Sequence, residues 1–224
     1  MEMENMTTQF RIEKDSLGEV QVPCDALYGV QTVRATQNFP ITHLRTHPAM
    51  IRSLGMIKKA CAMANHECGH LDDERTGYII AACDEIIQGK LDCWFITDVI
   101  QGGAGTSTNM NANEVVANRA AQLAGKALGV YDYIHPNDHV NFGQSTNDVF
   151  PTAGKLTALF LVEDLLEELM LLQAALLDKS IEFNDAIKLG RTHLQDAVPI
   201  RMGQEFHAFA TAIVRDIRRI KVAF

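Results

Sequence analysis

The chain has 224 residues, of which 47% are hydrophobic and 21% charged, so disordered, collagen-like and coiled-coil-only architectures are excluded. Twenty basic against 28 acidic residues leave a net charge of −8, which disfavours a nucleic-acid or anionic-membrane surface. That length suits one large or two small domains, long enough to bury most of a core.

The first residues, Met1 to Thr8, are acidic and polar, and no signal peptide is expected there. Arg11 to Val22 alternates around Ser16-Leu17-Gly18, which predicts a small β-hairpin ended by Pro23. The rest of the first 35 residues reads as irregular. From Pro48 the pattern turns helical, with Met50, Leu54, Ile57, Cys61 and Ala64 on one stripe and Gly69 as the stop. A second helix is expected from about Glu74 to Gln88, with Gly89 beyond its end. A third is expected from about Asn113 to Leu123, opened by a capping box of Asn111 and Glu114.

Tyr131 to Gln144 reads as a polar loop. Asp148 to about Phe183 then reads as one helix spanning about 50 Å, apolar on more than one face and therefore buried in a bundle or a subunit interface. Its acidic residues Glu163, Asp164, Glu167 and Glu168 form a solvated stripe and rule out a transmembrane span. A loop over Lys188 to Pro199 precedes a last helix from about Met202, basic at its close. That helix has no stop signal at Phe224, so the chain reads as cut. No repeat, low-complexity linker or strand–helix alternation occurs. The fold class is mainly α: an N-terminal helical domain with a small hairpin over 1–144, then the first long helices of a central bundle over 145–224. The five cysteines, odd in number and without a Cys-x-x-Cys pair, read as buried free thiols in a reducing cytoplasm.

Three segments concentrate small hydroxyl and amide residues beside helices: Gly105 to Asn109, Gln144 to Asp148, and Gly190 to Asp196. Such residues cap free backbone N–H groups, and that role alone accounts for any one of them. Together, neutral donors at positive helix ends suit a small dicarboxylate. Ser145, Thr146 and Asn147 directly precede the long helix, while Arg191 and His193 add a cation and an ionisable ring. His193 is a candidate proton donor, a partner for a substrate amine, or a structural histidine. The pair His135 and His139 sits around Pro136 in a loop, which suits a polar or anion-binding segment better than a metal site, and no metal is expected. Gly102 to Gly105 is too short for a dinucleotide loop, and no phosphate-loop, nucleophile-elbow or zinc-protease motif is present.

Five motifs in this order resemble the aspartase/fumarase superfamily from Arg11 onward. They are Tyr28-Gly-Val-Gln-Thr32, Gly102-Gly-Ala-Gly-Thr-Ser-Thr-Asn-Met-Asn-Ala-Asn-Glu114, His135-Pro-Asn-Asp138, Gln144-Ser-Thr-Asn-Asp148, and Gly190-Arg-Thr-His-Leu-Gln-Asp-Ala-Val-Pro199 with Gly203-Gln-Glu-Phe206. Fumarases usually carry Trp-Gly-Ala-Gln-Thr in the first and Ser-Ser-Asn at 145–147, so the chain is most similar to the aspartate ammonia-lyases. That resemblance implies reversible anti-elimination of ammonia from L-aspartate to give fumarate. Thr106, Ser145 and Thr146 would hold the β-carboxylate, Asn147 and His193 would meet the amino group, and Thr192 would contact the α-carboxylate. It also implies a cytoplasmic homotetramer without a bound cofactor, and leaves activation by a divalent cation open. The family base is a serine in a Gly-Ser-Ser loop, and no Gly-Ser-Ser occurs here, so the chain is expected to be inactive alone. The competing functions are a fumarase-type hydratase acting on malate and a non-catalytic helical assembly module.

Overall fold

The computed structural model describes residues 9–224. Two compact units divide them, one extending to Thr157 and the other running from Ala158 to Phe224.

The first unit opens with the expected hairpin: β1 (Phe10–Asp15) pairs antiparallel with β2 (Gly18–Pro23), and Asp15 pairs with Gly18 across the turn. Gly18 has φ +118°, a conformation a side chain resists. A short helix follows that the sequence did not suggest, α1 (Val30–Asn38). It has nine residues, two of them buried, and no side-chain cap of its own. What closes its N-terminus comes from outside the helix, most of it from far along the chain.

The helix α2 (Pro48–Glu67) starts as its sequence dictates. The His47 ring accepts from the Ala49 N–H, Pro48 takes a first-turn position that lacks a hydrogen-bond partner anyway, and Gly69 follows the end with φ +75°. In α3 (Asp73–Ile87) the Asp72 carboxylate caps the Arg75 N–H, and Asp73 and Glu74 lie in the positive first turn. The helix α4 (Thr106–Leu123) packs against α1 and α3, and its small residues Ala112, Ala117 and Ala120 let neighbours come close. The core joins Ile51 and Leu54 of α2, Ile79, Cys83 and Ile86 of α3, and Val115 and Val116 of α4. Ile134 and Val140 reach the same core from the segment expected to be a polar loop. Pro136–Val140 there forms a single wide helical turn.

The expected capping box of Asn111 and Glu114 is not there. α4 begins five residues earlier than Asn111, because Gly105 at φ +79° turns the chain into a helix at Thr106. Asn111 and Glu114 lie inside the helix and bond to other segments: Asn111 accepts from the Ile96 N–H and donates to the Trp94 carbonyl.

The helix α5 (Thr146–Glu182) begins in the first unit and ends in the second. The second unit continues with β3 (Ile187–Thr192), β4 (Gln195–Arg201) and α6 (Met202–Ala223). The expected loop over Lys188 to Pro199 is instead an antiparallel hairpin with a register shift between Leu189 and Arg191. A Cβ on Gly190, inside that shift, would lie 2.9 Å from the Val198 carbonyl oxygen, so the bulge requires glycine. Within this unit the Phe183 and Phe206 rings stack at 5.6 Å, and the Gly203 N–H donates to the Phe183 carbonyl at 3.0 Å. A Cβ on Gly203 would collide with the Ser180 carbonyl and come 2.9 Å from Asn184 Cα.

The acidic stripe of α5 is exposed as expected. The burial of its apolar residues is not met within the chain: Leu165 is 48% exposed, Leu171 64% and Leu172 47%. The cysteines also differ from expectation. Only Cys83 is buried, Cys61 is half-buried, and Cys24, Cys68 and Cys93 are exposed; all are unpaired. Three of the five lie outside the apolar stripes that would have buried them. No helix among the described residues is long and apolar enough to cross a membrane.

Candidate active site

Two of the three donor segments meet in the first unit, each at the start of a long helix. Thr106 is the first residue of α4, exposed, with its hydroxyl donating to the Gly103 carbonyl at 2.9 Å. Ser145 precedes α5, and its Oγ accepts from the Asn147 N–H at 3.2 Å. It is thus a cap, yet its own hydroxyl hydrogen stays available. Thr146 is the first residue of α5, half-buried, and Asn147 is exposed beside it. The ends of α4 and α5 are joined directly: Asn109, one turn into α4, donates through Nδ2 to Thr146 Oγ1 at 3.1 Å. Thr106, Ser145 and Thr146 thus stand at the N-terminal ends of two helices, where unpaired backbone N–H groups and the helix dipole are positive.

A cavity of about 260 Å³ opens beside the first segment, lined by Gln31, Arg34, Asn38, Gly102, Thr106 and Ser107. Arg34 is held by Asp15, Nε to Oδ2 at 2.8 Å. The hydrogen bond to Arg34, against a smaller opposing effect of burial, draws the Asp15 pKa below the usual carboxylate value.

The third segment belongs to the second unit and is not at a helix end. Thr192 is the last residue of β3, and His193 and Leu194 form the hairpin turn with φ of +49° and +60°. Positive φ at both central residues is the geometry that matches the twist of a two-residue hairpin. Thr192 and His193 are exposed at its tip. The helix-dipole argument therefore applies to Thr106, Ser145 and Thr146 but not to Thr192.

The His135-Pro-Asn-Asp138 segment folds on itself. His135 Nδ1 accepts from the N–H groups of Asn137 and Asp138, each at 3.2 Å, and His139 Nδ1 accepts from the His135 N–H at 2.8 Å. No three His, Cys, Asp or Glu residues among those described converge as metal ligands.

Beside the segment that leads into α5 lies a residue that the sequence motifs do not include. Lys58 of α2 is completely buried, and its Nζ donates to Asn141 Oδ1 at 2.8 Å and Gln144 Oε1 at 2.9 Å. Burial among apolar neighbours pulls its pKa down to about 7. The signal was present: Lys58 stands four residues after Leu54 and three before Cys61, on the stripe assigned to the core.

The profile of the family described as Lyase matches residues 18–224. The chain belongs to this lyase family. It is 58% identical over 215 residues to an aspartate ammonia-lyase of a Bacillus species, covering 96% of this chain and 46% of that protein. It is 52% identical over 217 residues to a class II fumarate hydratase of Halobacterium salinarum, covering 96% and 46%. Among solved structures, the fumarate lyase:delta crystallin of Brucella melitensis in native form superposes with a TM-score of 0.86 at 51% identity, over 94% of this chain and 50% of that one. The chain spans about half the length of the curated relatives it matches. The superfamily expected from the five motifs and the mainly helical fold expected from the helical patterning therefore both hold for this chain.

Within the lyase fold, Glu114 explains why the first two motifs occur together. Its carboxylate accepts from the N–H groups of Gly29, Gln31 and Thr32 at 2.8, 2.8 and 3.1 Å, and from the Thr32 hydroxyl at 2.6 Å. It closes the N-terminus of α1 from 82 residues away. Burial keeps its pKa above the usual value, against the pull of the Thr32 hydroxyl and the three N–H groups.

Proposed function

We propose that the whole protein is an aspartate ammonia-lyase, for which this chain supplies the carboxylate-binding loops. The observation that carries the reading is the tie between the first turns of α4 and α5, which bear Thr106 and Thr146, through the Asn109 bond to Thr146. In the proposed reaction a proton leaves C3 of L-aspartate, negative charge builds on the β-carboxylate, and the amine departs. Neutral hydroxyl and N–H donors suit that step, because they gain strength as the charge develops. In this reading Thr106, Ser145 and Thr146 hold the β-carboxylate and Thr192 the α-carboxylate, while Asn147 and His193 meet the amine. The base is not among these residues.

The choice of aspartate is supported by the 58% identical relative and by Tyr28-Gly-Val-Gln-Thr32 and Ser145-Thr-Asn147. The second reading, a hydratase acting on malate, is supported by the 52% identical fumarate hydratase. We further assign residues 1–144 to the first domain and 145–224 to the start of a central bundle. Self-association into a homotetramer is supported by the exposed leucines of α5. Unpaired cysteines fit a reducing cytoplasm.

The test follows fumarate by its ultraviolet absorbance with the whole protein and either L-aspartate or L-malate. Fumarate with ammonia from aspartate supports the first reading, and fumarate from malate alone replaces it with the second. Thr192→Val should mainly raise KM, as loss of a contact equally strong in ground and transition states does. Ser145→Ala should lower kcat by about 10²-fold.

A further inference from the structure

We propose that Asn109 and Lys58 are positioning residues that fix the hydroxyl of Thr146 as a hydrogen-bond donor to the substrate carboxylate. The inference deepens the proposed function and rests on it. It follows from which atoms in one buried network can only accept and which can only donate.

Two backbone carbonyls set the polarity. Asn141 Nδ2 donates to the Gln144 carbonyl at 3.1 Å, and Gln144 Nε2 donates to the Val140 carbonyl at 2.9 Å. A carbonyl oxygen only accepts, so both amides have a single satisfactory orientation. Their side-chain oxygens are thereby presented to Lys58 Nζ, at 2.8 and 2.9 Å. Asn141 Oδ1, already facing the lysine, also accepts from Asn109 Nδ2 at 3.2 Å. The orientation of Asn109 is now fixed as well, since flipping it would set two amide oxygens against each other.

The second hydrogen of Asn109 Nδ2 goes to Thr146 Oγ1 at 3.1 Å. Thr146 is therefore an acceptor toward the protein interior, and its own hydrogen remains for something else. No described residue receives it.

This orientation of Asn109 leaves one group unpaired. Asn109 is 1% exposed, and its Oδ1 is buried with no hydrogen-bond partner. Turned over, that oxygen could take the Thr146 hydroxyl hydrogen, but it would then face Asn141 Oδ1, and both amide hydrogens would point where no acceptor lies, so the present orientation keeps two bonds at the cost of one unpaired oxygen. A hydroxyl left to rotate would spend part of its time as an acceptor and would have to reorganise as charge develops. A hydroxyl held as a donor needs no reorganisation, which is where such groups gain their catalytic effect.

The experiment is a double-mutant cycle in the whole protein, read as kcat and KM for the turned-over dicarboxylate. Asn109→Asp replaces the donor with an acceptor and draws the Thr146 hydrogen inward. Thr146→Val removes the hydroxyl. Each single change should lower kcat by about 10²-fold with KM moved less than about threefold, and the double mutant should be no worse than Thr146→Val alone. Ser145→Ala is the control, because its loss should multiply with that of Asn109→Asp if the loop as a whole stays in place. Losses that multiply between 109 and 146 overturn the inference, as does an Asn109→Asp effect that fails to multiply with Ser145→Ala. If Asn109→Asp does not fold, Asn109→Ala replaces it in the same cycle, with a smaller loss of about tenfold and the same coupling. A wild-type protein without turnover on L-aspartate or L-malate overturns the proposed function and this inference with it. Wild-type turnover with multiplying losses overturns the inference alone.

Discussion

The ring of Phe150 lies against Gly105, in the space a Cβ there would occupy. Gly105 also has φ +79°, so a side chain is excluded twice, by the ring and by the backbone. The contact seats the turn before α4 against the start of α5 and sets the spacing of the two donor segments. Gly105→Ala should destabilise the protein by roughly 3 kcal/mol, combining the left-handed conformation with overpacking. Urea unfolding checks it, and a loss under about 1 kcal/mol would show that Phe150 moves aside freely.

Glu114 makes a similar connection through charge. One carboxylate serves four donors on residues 29–32, and an amide of the same shape offers one accepting oxygen and a donor that faces other donors. Glu114→Gln should cost about 3 kcal/mol, and Thr32→Val about half of that. Equal losses in denaturant titrations would mean that the hydroxyl, at 2.6 Å, carries the clamp and the backbone bonds do not.

Where helices carry their own start and stop signals, the sequence was legible. Pro48, Gly69 and Gly89 marked ends of α2 and α3 because their effects are local. Two of the errors share one cause, which is partners distant in the chain. α1 is closed by Glu13 on the Val30 N–H and by Glu114 on those of Gln31 and Thr32, so nothing near Val30 announces it. Asn111 and Glu114 have the spacing of a cap, but their bonds go to residues 94–96 and 29–32. The β3–β4 hairpin turns on His193 and Leu194 rather than Asn or Gly, so the usual turn chemistry is missing. For the site, the motifs named Thr106, Ser145 and Thr146 as candidates, and the structure supplied the network of Asn109, Asn141 and Lys58 behind them. Asn109 already lay within the first donor segment, and a buried lysine on a core stripe is a further part the sequence could have disclosed.

That lysine predicts a pH dependence of stability. Lys58 has a folded pKa of about 7 against an ordinary 10.5, because burial disfavours its charged form. Below about pH 7 folded and unfolded chains both hold the proton, and the folded protein bears the burial cost in full. Above it the folded protein releases the proton while the unfolded chain retains it, so stability rises with pH by about 1.4 kcal/mol per unit. The groups facing Lys58 act in the opposite direction at higher pH. Burial raises the thiol of Cys61 and pushes that of Cys83 up to about 12, so the unfolded chain loses these protons first and stability falls once its thiols ionise, from about pH 8.5. The window for Lys58 is therefore pH 7 to about 8.5. Over it, unfolding free energy from guanidinium titrations should rise by about 2 kcal/mol in the wild type. In Lys58→Met it should stay flat. A wild-type curve that is level across this window would mean that Asn141 and Gln144 keep the ammonium charged in place.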